Sequence, residues 1–94
     1  MHLRGIIWLE EIVEKLAWKH HIQHEEVAEA LRDKPLFRLI EKGHRPNEHV
    51  YSASGQTQAG RYVIVFFVYK ANHKALIVSA RDMSNAERRR YEQQ

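Results

Sequence analysis

Residues Arg61 to Tyr91 read R-Y-V-I-V-F-F-V-Y-K-A-N-H-K-A-L-I-V-S-A-R-D-M-S-N-A-E-R-R-R-Y, and the rest of the chain is arranged around them. The stretch opens on an apolar run, Tyr62 to Tyr69, dominated by β-branched and aromatic side chains. Such a run is too short to span a bilayer as a helix and fits a strand. Lys70 to Lys74 carries turn chemistry, with Asn72 the residue suited to a positive φ. A second strand is expected over Ala75 to Ala80, paired with the first as a hairpin. Apolar residues on both faces of Tyr62–Tyr69 require a central strand covered on both sides, by helices or by a partner chain. The apolar pattern stops at Arg81-Asp82. Ser84 and Glu87 then have the spacing of a capping box, which starts a helix over Asn85 to Glu92.

Outward from this hairpin, the N-terminal side alternates short elements. Leu3 to Trp8 predicts a short strand. Ile12, Val13, Leu16 and Ala17 recur at helical spacing and predict a helix over Glu10 to His20, with acidic residues at its start and basic ones at its end. His24 to Arg32 predicts a second helix, stopped by Lys34-Pro35. Leu36 to Ile40 and Val50 to Ser54 read as strands, with a polar, mobile loop from Glu41 to His49 between them and a turn over Gln56 to Gly60. The expectation is one α+β domain over residues 1–94: a short N-terminal strand, two helices, an antiparallel four-strand meander and a C-terminal helix.

Composition narrows the function classes. The chain has 94 residues and no cysteine, so neither disulfides nor cysteine zinc sites enter, and a reducing cytoplasm is the expected location. No apolar run approaches the roughly 18–20 residues of a membrane span, and Met1 to Ile7 is too short and interrupted for a signal peptide. The net charge of +3 is small, but it is unevenly placed: from Arg81 to Tyr91 four arginines stand against only Asp82 and Glu87. Arginine suits phosphate because its planar fork donates two parallel hydrogen bonds.

Seven histidines raise the question of a metal. His20 and His24 are four apart, but the first helix should break between them and no third ligand completes the set, so no metal or other cofactor is expected. The strands carry almost no acidic residues, which removes paired-carboxylate nuclease chemistry, and no phosphate-binding glycine loop or nucleophile elbow is present. A metal-free inventory of Lys, His, Arg and Tyr remains. It suits attack of an RNA 2′-hydroxyl on its own phosphate, which needs a base, a cationic cradle and an acid. Arg81 and the arginines after it are candidates for the phosphate; Lys19 or His20 are candidates for the proton.

Several motifs together resemble one family. They are Trp8 separated by ten residues from Lys19-His20, the run H-E-E-V-A-E-A-L, the G-R-x-x-x-V-x-F strand, and I-V-S-A-R-D-M followed by E-R-R-R-Y-E. This ordering resembles the BrnT toxins of bacterial type II toxin–antitoxin modules, whose fold is similar to RelE and the barnase-like ribonucleases. The resemblance implies a translation-inhibiting endoribonuclease held by a ribbon-helix-helix antitoxin, with operator DNA bound only through that antitoxin. It places Lys19, His20, Arg81 and Tyr91 in catalysis, and Arg61, Arg88, Arg89, Glu48 and His49 against RNA. Three positions depart from the pattern: Leu9 replaces an aspartate, Leu16 an asparagine, and His49 an arginine. The alternative is a degenerate, non-catalytic toxin-like protein that binds the antitoxin alone.

Overall fold

The computed structural model describes all residues, 1–94. In chain order these are β1 (Gly5–Ile7), α1 (Glu10–His20), α2 (His24–Arg32), β2 (Leu36–Glu41), a 3-10 turn at Pro46–Glu48, β3 (Val50–Gln56), β4 (Tyr62–Tyr69), β5 (Lys74–Asp82) and α3 (Asn85–Glu92). The strands form one sheet in the order β1-β5-β4-β3-β2. This corrects the expected arrangement of a separate first strand and a four-strand antiparallel meander. β1 joins the sheet, pairing in parallel with β5 through Ile6 opposite Ala75 and Ile7 opposite Leu76, so the sheet is five-stranded and mixed. With three residues β1 is too short to show a period, and its partner lies some seventy positions away in sequence.

β4 is the central strand, and its two faces differ. Val63, Val65 and Phe67 are buried with Ala53, Ile77 and Ala80 beneath Leu16 and Ile22 of the α1 region and Val27 and Ala30 of α2. Gly55 permits this contact, because a Cβ there would collide with the carbonyl oxygen of Ala30. Tyr62, Ile64, Phe66 and Val68 point the other way. α3 covers only the Tyr62 end of that second face, with Tyr91 edge-on to Tyr62, and leaves Phe66 and Val68 half-exposed.

One irregularity decides which face the arginine of β5 reaches. Phe66 pairs with Ser79 but Phe67 with Ile77, so Val78 is an extra residue. This bulge shifts the alternation, leaving Ile77 and Ala80 both on the helix-covered face and Arg81 on the open one. The β4–β5 turn also differs from expectation. His73 takes the positive φ of 64°, while Asn72 uses its side-chain oxygen to accept from the Lys74 N–H at 3.2 Å. Both residue types tolerate the left-handed region, so sequence alone does not choose between them.

Candidate active site

α1 ends where His21 adopts φ 54° and its N–H returns to the Leu16 carbonyl. α2 begins three residues later, at His24, under a capping box between Gln23 and Glu26. These two helix ends, with the start of β4 and the end of β5, meet around Arg61. Its Nε donates to Asp82 Oδ1 at 2.7 Å and its Nη2 to Asp82 Oδ2 at 3.3 Å. Nη1 donates to the His21 carbonyl at 2.7 Å and to Glu26 Oε2 at 3.3 Å, and Nη2 reaches the His20 carbonyl at 3.1 Å. The guanidinium therefore caps the C-terminus of α1 while joining three other elements. Its hydrogen bond holds the Asp82 carboxyl below the ordinary range, with a smaller pull from the charge of nearby His20.

On the opposite face Arg81 makes a different pair. Nη1 and Nη2 donate end-on to Glu87 Oε1 and Oε2 at 2.8 and 3.0 Å. Nη1 also reaches the Asp82 carbonyl at 3.2 Å, and the guanidinium sits 5.4 Å from the centre of the Phe66 ring. Glu87 Oε1 accepts from the Ser84 N–H as well, closing the capping box of α3. Chiefly because of Arg81, the Glu87 carboxyl is lowered to about 2. Next along α3, Arg88 lies 4.0 Å from the centre of the Tyr62 ring, and Tyr91, a turn beyond Glu87, packs edge-on to the same ring. Burial, then the charge of Asp33 and the neighbouring Tyr62, push the Tyr91 phenol up, so it keeps its proton. Arg89 and Arg90 are exposed.

The structure thus sorts the candidates into three places. Lys19, His20 and Arg61 lie on the helix-covered side at one end of the sheet. Arg81, Arg88 and Tyr91 share the open face at that same end, with Arg89 on the exposed side of α3. Glu48 and His49 lie at the other end, roughly 16 Å away along β4 at the usual rise per residue. There His49 Nδ1 accepts from the Gly43 N–H at 2.9 Å. Arg81 and Asp82, adjacent in β5, link the first two places across the strand. Sequence reading missed Asp82, Glu26, Phe66 and Tyr62 as partners. The available signal was an arginine opening one strand of a hairpin and an aspartate closing the other, which an antiparallel register brings side by side. No three His, Asp or Glu side chains converge to hold a metal ion.

Fold and geometry define a small α+β protein whose open sheet face carries guanidinium groups laid over aromatic rings. A family model for the ribonuclease toxin, BrnT, of type II toxin–antitoxin systems matches residues 8–87, and the chain belongs to this family. None of the curated proteins searched matches the chain. The matched span includes Lys19, His20, Arg61, Arg81 and Glu87, and ends before Arg88. Membership in a family of type II toxins implies an antitoxin partner and an RNA substrate.

Proposed function

We propose that the chain is a metal-independent endoribonuclease toxin that inhibits translation, with the scissile phosphate held at Arg81. The observation that carries this reading is the pairing of Arg81 over Phe66 and Arg88 over Tyr62 on one open sheet face. Two oriented cations suit the charge that builds on a phosphorane. In the reaction the 2′-oxygen forms a bond to phosphorus as the bond to the 5′-oxygen breaks. One proton leaves the 2′-hydroxyl for a base and another reaches the 5′-oxygen from an acid. The products are a cyclic phosphate and a 5′-hydroxyl end.

Tyr91 shares the Arg81 face and takes the acid step, although burial raises its phenol and so makes it a weaker proton donor. His20 or Lys19 takes the base role if the RNA backbone bends over the Arg81–Asp82 end of β5, since both lie on the far side of that strand. Arg88 and Arg89 hold neighbouring phosphates, and Glu48 and His49 contact RNA further along. Arg61 acts by positioning: its hydrogen bonds already run to Asp82, Glu26 and the α1 terminus. The partner is a ribbon-helix-helix antitoxin, through which alone operator DNA is bound, and the fold groups with RelE-like ribonucleases of the cytoplasm.

The separation of Lys19 and His20 from Arg81 by the sheet favours a second reading, a toxin-like protein that binds its antitoxin without catalysis. Antitoxin-free protein incubated with RNA and EDTA separates the two. The catalytic reading expects fragments with 5′-hydroxyl ends and their loss in Arg81→Ala. Intact RNA, with no growth arrest on expression, establishes the non-catalytic one.

A further inference from the structure

A guanidinium carries five N–H donors along two edges that each suit a carboxylate or phosphate: the end-on Nη1–Nη2 edge and the side-on Nε–Nη2 edge. In Arg81 both hydrogens of Nη1 are used, one on Glu87 Oε1 and one on the Asp82 carbonyl. Nη2 spends one on Glu87 Oε2. Nε–H and the second Nη2–H have no acceptor in the protein, lie side by side, and belong to a side chain 42% exposed. Arg61 shows the opposite arrangement, with Asp82 occupying its side-on edge and carbonyl oxygens of α1 taking hydrogens on the other.

We infer that Glu87 is a positioning residue, which grips Arg81 end-on so that its side-on edge is presented to an RNA phosphate. This rests on the reading of Arg81 as the phosphate ligand and assigns Glu87 a part in it. Glu87 is itself fixed by the Ser84 N–H at 2.8 Å within the first turn of α3. The ring of Phe66 lies under the guanidinium. With one edge gripped and one face backed, the remaining pair of donors has a defined direction. A free arginine at this place would spend rotamer entropy on each phosphate it bound.

The test is the salt dependence of binding to a 2′-O-methyl RNA oligonucleotide, which cannot undergo the 2′-hydroxyl reaction, using the full chain and five variants. Each phosphate contact on a single strand contributes about 0.7 to the slope of log affinity against log salt. Glu87→Ala keeps the Arg81 charge, yet it is expected to lose about one such contact and about tenfold in affinity. Arg81→Ala is expected to lose the same contact, and the double variant to bind no worse than Arg81→Ala alone, because the two residues act as one unit. Glu87→Gln retains an oxygen for the cap and for one Arg81 bond, and is expected to recover part of the affinity. Ser84→Ala removes the hydroxyl that accepts from the Glu87 N–H but keeps the backbone N–H that holds the Glu87 carboxylate and both Arg81–Glu87 bonds, and is expected to leave the slope unchanged.

Tighter RNA binding by Glu87→Ala overturns the inference, since Glu87 would then be competing with phosphate. Additive losses in the double variant also overturn it. If Arg81→Ala weakens binding and Glu87→Ala does not, the inference falls and the role of Arg81 stands. If the unsubstituted chain binds no RNA, both fall together.

Discussion

Two arginine–carboxylate pairs stand at the same end of the sheet, on opposite faces, and they differ in what they leave free. Arg61 is 27% exposed and its bonds to Asp82, Glu26 and two helix carbonyls tie four elements together. Arg81 is more exposed and is bound to Glu87, six residues away, at the start of one short helix. The first arrangement serves the fold. The second leaves donors and surface for something else. A motif containing several arginines therefore need not place all of them on the ligand, and donor accounting separates the roles better than charge does.

The largest effect expected from breaking this contrast is on stability, in Arg61→Ala. It would leave the half-buried Glu26 carboxylate unpaired, release the exposed Asp82 to water and uncap α1, a loss of about 2 kcal/mol. That is a large share of the margin of a small domain. Urea unfolding measures it, and a loss below about 1 kcal/mol, the scale of an ordinary surface pair, would sink the assignment of Arg61 to the fold. Arg61→Lys should recover little, because an ammonium cannot grip Asp82 and the α1 carbonyls together.

Arg81→Ala should reverse the pattern. Its ion pair is partly exposed, so the stability cost should stay near about 1 kcal/mol. RNA cleavage should fall by about a hundredfold or more, the scale of losing one charge-stabilising donor set. Cleavage assays on the two variants at a temperature where both remain folded decide the matter. Equal loss of activity at equal stability would erase the distinction between the pairs.

Acid sharpens the comparison further. Glu87 is lowered from 4.5 to about 2, chiefly by its hydrogen bond from Arg81. A folded-state value below the unfolded one means that the unfolded chain binds the proton first. The stabilisation is thus complete above about pH 4.5 and fades as pH falls toward 2. Asp82 is lowered in the same sense by Arg61. Melting temperature should fall across this window, and Glu87→Gln should flatten part of that fall while leaving the Asp82 contribution. An unchanged profile in Glu87→Gln would show that the Arg81 pair carries none of the acid sensitivity.

The sequence shows much of this, for reasons that differ by element. Glu10–His20, His24–Arg32, Tyr62–Tyr69 and Asn85–Glu92 coincide with their expected bounds, because long periods, charge placement and the Ser84–Glu87 box are local signals. β1 falls within the strand expected over Leu3 to Trp8, but its parallel pairing with β5 was not legible, since pairing at such a separation leaves no local trace. Nor was the extra residue at Val78, which looks like any other apolar strand position yet turns Arg81 to the open face. The candidate residues were visible as a set. Their division between two faces was not, because it depends on strand parity counted through that bulge.

The smallest expected effect concerns the other end of α1, opposite the Arg61 cap. Leu9 occupies the N-cap with extended backbone, φ −100° and ψ 128°, and supplies no side-chain hydrogen bond. The N–H groups of Ile12 and Val13 turn instead to its carbonyl. An aspartate there could accept from an early helical N–H and would also favour the positive end of the helix dipole. Leu9→Asp is expected to stabilise the chain by about 1 kcal/mol. The two ends of α1 are roughly 16 Å apart, so this gain should add to the Arg61→Ala loss rather than cancel it. Thermal unfolding of the two single variants and the double variant measures the sum. Full rescue of Arg61→Ala by Leu9→Asp would mean that Arg61 matters only as a cap for α1, and that its bonds to Asp82 and Glu26 hold nothing else in place.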